Sequence, residues 1–103
     1  MAVIEVTKDN FEKEVLESDK KVLVDFNAQW CAPCRMLKPV IDEMGNNSEY
    51  KVVSINIDDE ESLAVEYGVM SIPCLVVFDN GKEVNRSVGL IPKSEIIKLM
   101  EDK

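Results

Sequence analysis

The sequence contains no histidine and only three cysteines among its 103 residues. Zinc sites in proteins use four ligands, mostly cysteine and histidine. Even all three cysteines would leave a zinc ion one ligand short, and an acidic fourth ligand is uncommon. Three cysteines also do not form the disulfide framework of a small secreted protein. These two shortages argue against a structural zinc site and against a fold stabilised by disulfides.

The sequence also lacks a long apolar segment and an excess of positive charge. No stretch approaches the roughly 20 apolar residues that a membrane-spanning helix needs. Residues 1–10 have neither the basic region nor the apolar core of a signal peptide. Lysine and arginine number 12 against 20 aspartates and glutamates, which gives a net charge of −8. Because such a surface is repelled by nucleic acid and by anionic membranes, we expect a monomeric cytoplasmic protein that binds neither.

The length and composition fit one globular domain that spans residues 1–103. Apolar residues make up 46% of the chain, which is ordinary for a folded protein and too many for a disordered one. Segments with strand and helix patterns alternate in the order βαβαβαββα. This order predicts an α/β fold in which helices cover both faces of a mixed sheet. Crossovers would join its parallel strands, and an antiparallel hairpin would follow.

Local signals bound the predicted elements. Thr7 is a suitable N-cap for the first helix, and Gly68 ends the third helix, which is predicted over residues 59–67. Asn80-Gly81 predicts a tight hairpin turn, and Pro92 opens the last helix. The predicted strands cover residues 3–6, 22–26, 51–58, 74–79 and 82–88.

Two of the cysteines, Cys31 and Cys34, lie between a buried strand and a helix. Apolar positions from Cys34 to Met44 recur at helical spacing, so the helix begins at or inside the cysteine motif. A spacing of three places both thiols on one face of the first turn, within the roughly 4.4–6.8 Å Cα separation of a disulfide. The unpaired N–H groups and the positive end of the helix dipole favour a thiolate, which is the nucleophile of disulfide exchange. The motif therefore favours redox chemistry over a structural pair or half of a zinc site.

Residues 24–34, with the sequence VDFNAQWCAPC, resemble the active-site segment of the thioredoxin family. Residues 69–73 (VMSIP), 79–81 (DNG) and 88–89 (VG) follow in the family's order, so the resemblance covers essentially the whole chain. It implies the thioredoxin fold, with a central mixed five-stranded sheet flanked by four helices. It also implies a thiol–disulfide oxidoreductase in which Cys31 attacks a target disulfide and Cys34 resolves the resulting mixed disulfide.

Asp25 lies within the apolar strand that precedes the motif. A central strand covered by helices has no exposed side, so we expect this carboxyl group to be buried and its pKa to be raised by desolvation. A raised pKa suits a group that exchanges protons near neutrality. In thioredoxins the matching acid takes the proton of the second cysteine, and the resemblance assigns that role to Asp25.

Ile72 and Pro73 match a family loop in which the proline follows a cis peptide bond and packs beside the disulfide. In that arrangement the backbone of Ile72 can hydrogen-bond an extended segment of a substrate protein. The resemblance thus implies an apolar surface around Cys31, which we call the docking shelf. The docking shelf consists of Trp30, Ala32, Pro33, Met70, Ile72, Pro73, Gly89, Leu90 and Ile91.

Four residues depart from the family pattern. Ala32 stands where glycine is usual, and its methyl group should be tolerated at a helix start. Asn27 replaces a second tryptophan, and Ser54 replaces a lysine that neighbours the buried acid, so Asp25 should be harder to ionise. Cys74 follows the proline where threonine is usual. We favour an inert core residue there over a regulatory thiol, because buried cysteines are common and unreactive.

The function implied is that of a cytoplasmic protein-disulfide reductase. The Cys31–Cys34 pair is itself the redox centre, so we expect no bound cofactor and no metal. The partners would be protein disulfides and a thioredoxin reductase, either flavin-containing or ferredoxin-linked. One alternative is a thiol oxidant or isomerase, which Pro33 before Cys34 and the lack of a signal peptide argue against. The other is a non-catalytic scaffold, which the intact cysteine pair with its acid argues against.

Overall fold

A five-stranded mixed sheet lies at the centre of the structure, a computed structural model that describes residues 3–47 and 49–101. The strands are β1 (Ile4–Glu5), β2 (Val22–Asn27), β3 (Lys51–Asn56), β4 (Cys74–Asp79) and β5 (Lys82–Val88). Their order in the sheet is β1-β3-β2-β4-β5. Strands β1 and β2 run parallel to β3, whereas the β2–β4 and β4–β5 pairs are antiparallel.

Within the described residues, four helices alternate with these strands. They are α1 (Glu12–Leu16), α2 (Ala32–Gly45), α3 (Glu61–Glu66) and α4 (Lys93–Glu101). The element order is βαβαβαββα, so the predicted fold class is confirmed. None of the helices in this part of the chain has the length and apolar character needed to cross a membrane.

Strand β2 divides the core into two layers because its side chains alternate between the faces of the sheet. Val22, Val24 and Phe26 pack in the layer that includes α1 and α3, whereas Leu23 packs with α2 and α4. Asp25 shares the face of Leu23 and is buried beneath α2, as the sequence predicted. The helix residues of that second layer are Leu37, Ile41, Met44, Ile96 and Met100.

The N-terminal segment differs from the prediction. Strand β1 contains only residues 4 and 5 of the predicted 3–6, and Thr7 does not cap the first helix. Instead the N–H of Thr7 donates to Oδ1 of Asn10 at 2.7 Å, which closes a turn before the helix. Helix α1 is a single π-type turn, in which the N–H of Glu17 bonds to the carbonyl of Glu12 at 2.9 Å. Short polar side chains compete in this way with regular backbone hydrogen bonding.

Strand β3 and helix α3 are both shorter than predicted, ending at Asn56 and beginning at Glu61 respectively. Oδ1 of Asn56 accepts the N–H of Asp58 at 2.8 Å. The carbonyl of Asn56 accepts the N–H groups of Asp59 and Glu60 at 3.2 and 2.9 Å. These bonds form a turn over residues that a longer strand or helix would have used.

Two glycines lie where they were predicted: Gly68 ends α3, and Gly81 lies in the turn between β4 and β5. After α3, the N–H of Gly68 bonds to the carbonyl of Val65, and the N–H of Val69 bonds to that of Ala64. This double pattern is a Schellman motif, and it places Gly68 at a φ of 65°. Between β4 and β5, Asn80 and Gly81 have φ values of 53° and 81°, which is the arrangement of a tight hairpin turn.

We predict that Gly81→Ala destabilises the protein more than Gly68→Ala. A Cβ at Gly68 would meet nothing within 4 Å, so its cost is that of the left-handed backbone, about 1 kcal/mol. A Cβ at Gly81 would lie 2.8 Å from the carbonyl oxygen of Leu16, and this clash should raise the total to roughly 2–3 kcal/mol. Urea unfolding of both variants measures the difference. Equal losses would mean that the hairpin turn moves away from Leu16 without cost.

Candidate functional site

The Cys31–Cys34 disulfide lies where β2 leads into α2. Helix α2 begins at Ala32, inside the motif as predicted, with Cys31 as its N-cap and Pro33 in its first turn. The Cα atoms of the two cysteines are 5.2 Å apart. The N–H of Cys34 points at Sγ of Cys31 from 3.2 Å. In the reduced protein, this N–H and the positive end of α2 favour a thiolate on Cys31.

The two cysteines have different surroundings, although both are nearly buried at 5% and 6% exposure. Ile57 and Ile72 pack against the pair. Sγ of Cys31 lies 3.8 Å from the carbonyl oxygen of Ile72. Cys34 instead lines the same cavity as Asp25. Cys31 therefore neighbours the docking shelf, and Cys34 shares a cavity with the buried acid.

Asp25 is 5% exposed, and within the described chain its Oδ1 atom makes no hydrogen bond. Burial raises the pKa of this carboxyl group to about 7. The side chain of Asn27 opposes the rise, whereas the negative charges of Glu5 and Asp42 add to it. Near neutral pH the group is therefore divided between its protonated and ionised forms, so it can accept or donate a proton.

The segment around the start of α2 and two loops carry the docking shelf. The Ile72–Pro73 peptide bond is cis, as the resemblance implied. The N–H of Gly89 donates to the carbonyl of Pro73 at 2.8 Å, which ties the loop after β5 to the loop before β4. Large apolar side chains exposed on the shelf are Trp30 at 66%, Met70 at 96% and Leu90 at 45%. Exposed apolar side chains grouped in this way are typical of a binding surface.

The remaining shelf residues have smaller or less exposed side chains. Ala32 and Pro33 are exposed at the start of α2. Pro73 is buried, and its neighbours across the shelf are half-buried. These half-buried residues are Ile72, Gly89 and Ile91.

The indole of Trp30 has a partner that the sequence did not predict. Its N–H donates to Oδ2 of Asp58 at 2.8 Å. Asp58 follows β3, and β3 runs parallel to β2, so the segments after both strands meet at one edge of the sheet. Arg35, in the first turns of α2, donates to the carbonyl of Gln29 at 2.6 Å. The parallel arrangement of the two strands was the available signal for the Trp30–Asp58 contact.

Asn27 and Ser54, two departures from the family pattern, are hydrogen-bonded to each other. Nδ2 of Asn27 donates to Oγ of Ser54 at 2.8 Å and to the backbone carbonyl of Asp25 at 2.9 Å. Ser54 is also the Cα partner of Asp25 in the β2–β3 pair. Both residues stand out in the sequence but their contact does not, because the sequence does not give the register of the two strands.

A cavity of about 740 Å³ opens beside these residues. Its walls include Asp25, Asn27, Ala28, Cys34 and Ser54. No residue of the docking shelf lines it. The cavity therefore reaches the buried acid and the second cysteine from a side separate from the docking shelf.

Cys74 lies in the core layer that includes α1 and α3 and is 1% exposed. Burial raises the pKa of its thiol, which disfavours the reactive thiolate. Both observations support the predicted inert core residue. Across residues 3–47 and 49–101, no group of three or more cysteine, histidine or acidic side chains could hold a metal ion.

Comparisons with known proteins agree with this geometry. A family model described as thioredoxin matches residues 2–102. A thioredoxin of Porphyra purpurea is 47% identical over 93% of this chain and 92% of its own length. Thioredoxin 1 of a Nostoc species is 45% identical over 97% and 95% of the two chains. The solved structure of a mutant thioredoxin from Halobacterium salinarum has a TM-score of 0.90 and 34% identity, covering 97% of this chain and 88% of its own.

We predict that Asp25→Asn stabilises the protein at pH 8 and has little effect at pH 4. The carboxyl pKa is about 7 in the folded protein against an ordinary value of 3.8. Between these values the folded state binds more protons than the unfolded state, so stability falls as pH rises. Three pK units correspond to at most about 4 kcal/mol at pH 8. Urea unfolding of both proteins from pH 4 to pH 8 measures the gap. A gap that stays constant would contradict the raised pKa.

We also predict that Cys74 does not react with a maleimide in the native oxidised protein. The other two cysteines are joined in a disulfide, so any labelling reports Cys74 alone. Denaturant should expose the thiol, giving one label per chain by mass spectrometry. One rapidly labelled thiol in the native protein would show that Cys74 is accessible and would support the regulatory alternative.

Proposed function

The chain belongs to the thioredoxin family, and from that premise we propose how its residues divide the work of thiol–disulfide exchange. The protein is a thiol–disulfide oxidoreductase, and its redox-active group is the Cys31–Cys34 disulfide. The observation that carries our proposal is the difference between the two cysteines. Cys31 lies beside Ile72 of the docking shelf, and Cys34 lines a cavity with Asp25.

Cys31 is the nucleophile of the reduced protein. The N–H of Cys34 and the first turn of α2 stabilise its thiolate. The thiolate attacks one sulfur of a target disulfide and forms a mixed disulfide with it. The second target sulfur leaves with the bonding electron pair and takes up a proton.

Cys34 then resolves the mixed disulfide. Its thiol proton passes to the carboxylate of Asp25, which is available near neutrality because its pKa is about 7. The Cys34 thiolate attacks Sγ of Cys31, so the Cys31–Cys34 bond forms as the bond to the target breaks. The released target thiolate is protonated in turn. Two electrons have moved from the protein to the target, and the protein is left oxidised.

The docking shelf positions the target disulfide against Cys31. Its exposed apolar side chains cover the target near the disulfide, and the Ile72 carbonyl offers a backbone hydrogen bond close to Sγ. An extended segment can use such a backbone group in the manner of an added strand. Shape and apolar contact would then govern recognition, which suits a reductase with many protein targets.

Members of the family act on protein disulfides and are regenerated by a reductase. We propose that a thioredoxin reductase, flavin-containing or ferredoxin-linked, returns this protein to the dithiol. We place the protein in the cytoplasm, because a reducing compartment keeps the cysteine pair in its reactive dithiol form. We also propose that it is a monomer. A net charge of −8 disfavours binding to nucleic acid or anionic membranes. The oxidant or isomerase alternative and the scaffold alternative are not favoured.

We predict that Cys34→Ser traps targets as stable mixed disulfides, because the resolving thiol is gone. Cys31→Ser should neither attack nor trap. Non-reducing gel electrophoresis after incubation with insulin detects the trapped species. Trapping by Cys31→Ser through Cys34 would reverse the proposed roles.

The matched control is the wild-type protein in insulin reduction with dithiothreitol as the electron source. The protein should accelerate precipitation of the reduced insulin chains well beyond dithiothreitol alone. No acceleration would contradict the reductase function and favour the scaffold alternative.

A further inference from the structure

The loop between α3 and β4 covers residues 67–73 and carries part of the docking shelf. The shelf residues on this loop are Met70, Ile72 and Pro73. The C-terminal end of the loop is held by Gly89, whose N–H donates to the carbonyl of Pro73 at 2.8 Å. Within the part of the chain that the structure describes, residues 70 and 71 make no hydrogen bond. The positions of the shelf residues therefore depend on how the two ends of the loop are held.

Arg86 on β5 holds the other end of this loop. Its Nη2 atom donates to the carbonyl of Tyr67 at 2.5 Å, and its Nη1 atom donates to that of Gly68 at 3.4 Å. Both carbonyls lie just after the last turn of α3, where a helix leaves backbone acceptors without partners. Among the described residues, no backbone N–H bonds to either carbonyl. The guanidinium group thus supplies the hydrogen bonds that the turn itself does not.

Glu83 sets the orientation of that guanidinium group. Its carboxylate accepts from Nε and Nη2 of Arg86 at 2.9 and 3.0 Å, which is a bidentate pair. Residues three apart on a regular strand point to opposite faces of the sheet. Here the pairing of β5 with β4 shifts by one residue between Glu83 and Asn85, so that Val84 is the extra residue of a β-bulge. The bulge brings Glu83 and Arg86 to one face, and the remaining guanidinium donors are aimed at the loop.

The contact lies near the surface and consists of hydrogen bonds rather than core packing. The side chain of Arg86 is 29% exposed and that of Glu83 is 35% exposed. Water can therefore reach the two carbonyls once the guanidinium group is removed, so the fold does not depend on it. What its removal changes is the freedom of the loop. The start of the loop would then be held only by the bonds from the N–H groups of Gly68 and Val69 to α3.

We propose that Arg86, oriented by Glu83, is a positioning residue that holds the loop where it can meet an extended segment of a target protein. The proposal rests on the function proposed above for the docking shelf. A segment that binds a loop already in place loses less freedom than one that has to order it, so a held loop favours binding. Arg86 contacts the first residues of the loop, whereas Cys31 meets the loop at Ile72. Arg86 therefore acts on target recognition and not on the exchange steps.

The test compares a disulfide that can use the docking shelf with one that is too small to do so. Insulin presents its disulfides on polypeptide segments, whereas hydroxyethyl disulfide offers little beyond the S–S bond. Reduced protein is mixed with each disulfide, and the fluorescence of Trp30 gives the second-order rate constant of its oxidation. Arg86→Met keeps an apolar side chain and removes every donor. Lys98→Met is the matched control, because it breaks an ion pair of the same i,i+3 spacing, with Glu95 on α4.

For Arg86→Met we expect the rate constant with insulin to fall about tenfold, because the target must now order the loop. The rate constant with hydroxyethyl disulfide should change less than about twofold, since attack by Cys31 is intact. Lys98→Met should match the wild type with both disulfides. Equal losses with both disulfides in Arg86→Met would overturn the proposal, as would an unchanged rate with insulin. A wild-type protein that reacts no faster than Cys31→Ser would instead overturn the proposed function itself.

Arg86→Lys separates the position of the loop from the charge of the side chain. Lysine keeps the positive charge, but one ammonium group cannot reproduce the planar fork that bonds Glu83 and both carbonyls at once. The rate constant of Arg86→Lys with insulin should therefore fall as in Arg86→Met. A wild-type rate in Arg86→Lys would assign the effect to charge and overturn the positioning role.

NMR order parameters measure the loop directly. In Arg86→Met the backbone order parameters of residues 69–72 should fall from about 0.85 to below about 0.6, while those of β2 stay unchanged. Unchanged order in the loop would overturn the proposal even if the rate with insulin fell. Should Arg86→Met not fold, Glu83→Gln weakens the orientation of Arg86 and should lower the rate with insulin alone, by about threefold. An unchanged rate in Glu83→Gln would then overturn the proposal.

Discussion

Burial of one carboxyl group in the central strand is the constraint on which the site depends. Asp25 lies on β2, which has β3 and β4 as neighbours and an apolar layer on each face. Such a strand offers no solvent-facing side, so the acid has to be covered. The helix that covers it is α2, which begins at the disulfide. The packing that builds the core therefore also raises the pKa of Asp25 and places it on the wall of the cavity that Cys34 shares.

The topology brings the other parts of the site to the same edge of the sheet. Parallel β2 and β3 end there, which places the cysteine motif beside the segment that carries Asp58. Antiparallel β4 begins there and β5 ends there, since Cys74 is paired with both Phe26 and Val88. The loop before β4 and the loop after β5 therefore meet, joined by the hydrogen bond from Gly89 to Pro73. One strand order thus collects four separate segments around one disulfide.

The sequence predicted the features that local chemistry determines. The apolar runs located β2 and β4, the turn residues located the hairpin with β5 and the end of α3, and the cysteine motif located the start of α2. The burial of Asp25 followed from the position of its strand. Features that depend on register between distant segments were missed, including the Asn27–Ser54 bond and the Trp30 contact. The predicted start of α1 was wrong, because the N–H of Thr7 bonds to the side chain of Asn10 in a turn that precedes the helix.

The surroundings of Asp25 limit the loss of folding stability that its burial causes. A carboxyl group with a pKa of about 7 reduces folding stability once it ionises, and a fully apolar surround would raise that pKa further. Asn27 limits the rise, and the cavity that Asp25 lines lies outside the packed layer around Leu23. The destabilising group is thus confined to the edge where the disulfide lies. Elsewhere on both faces of β2 the packed layers are apolar.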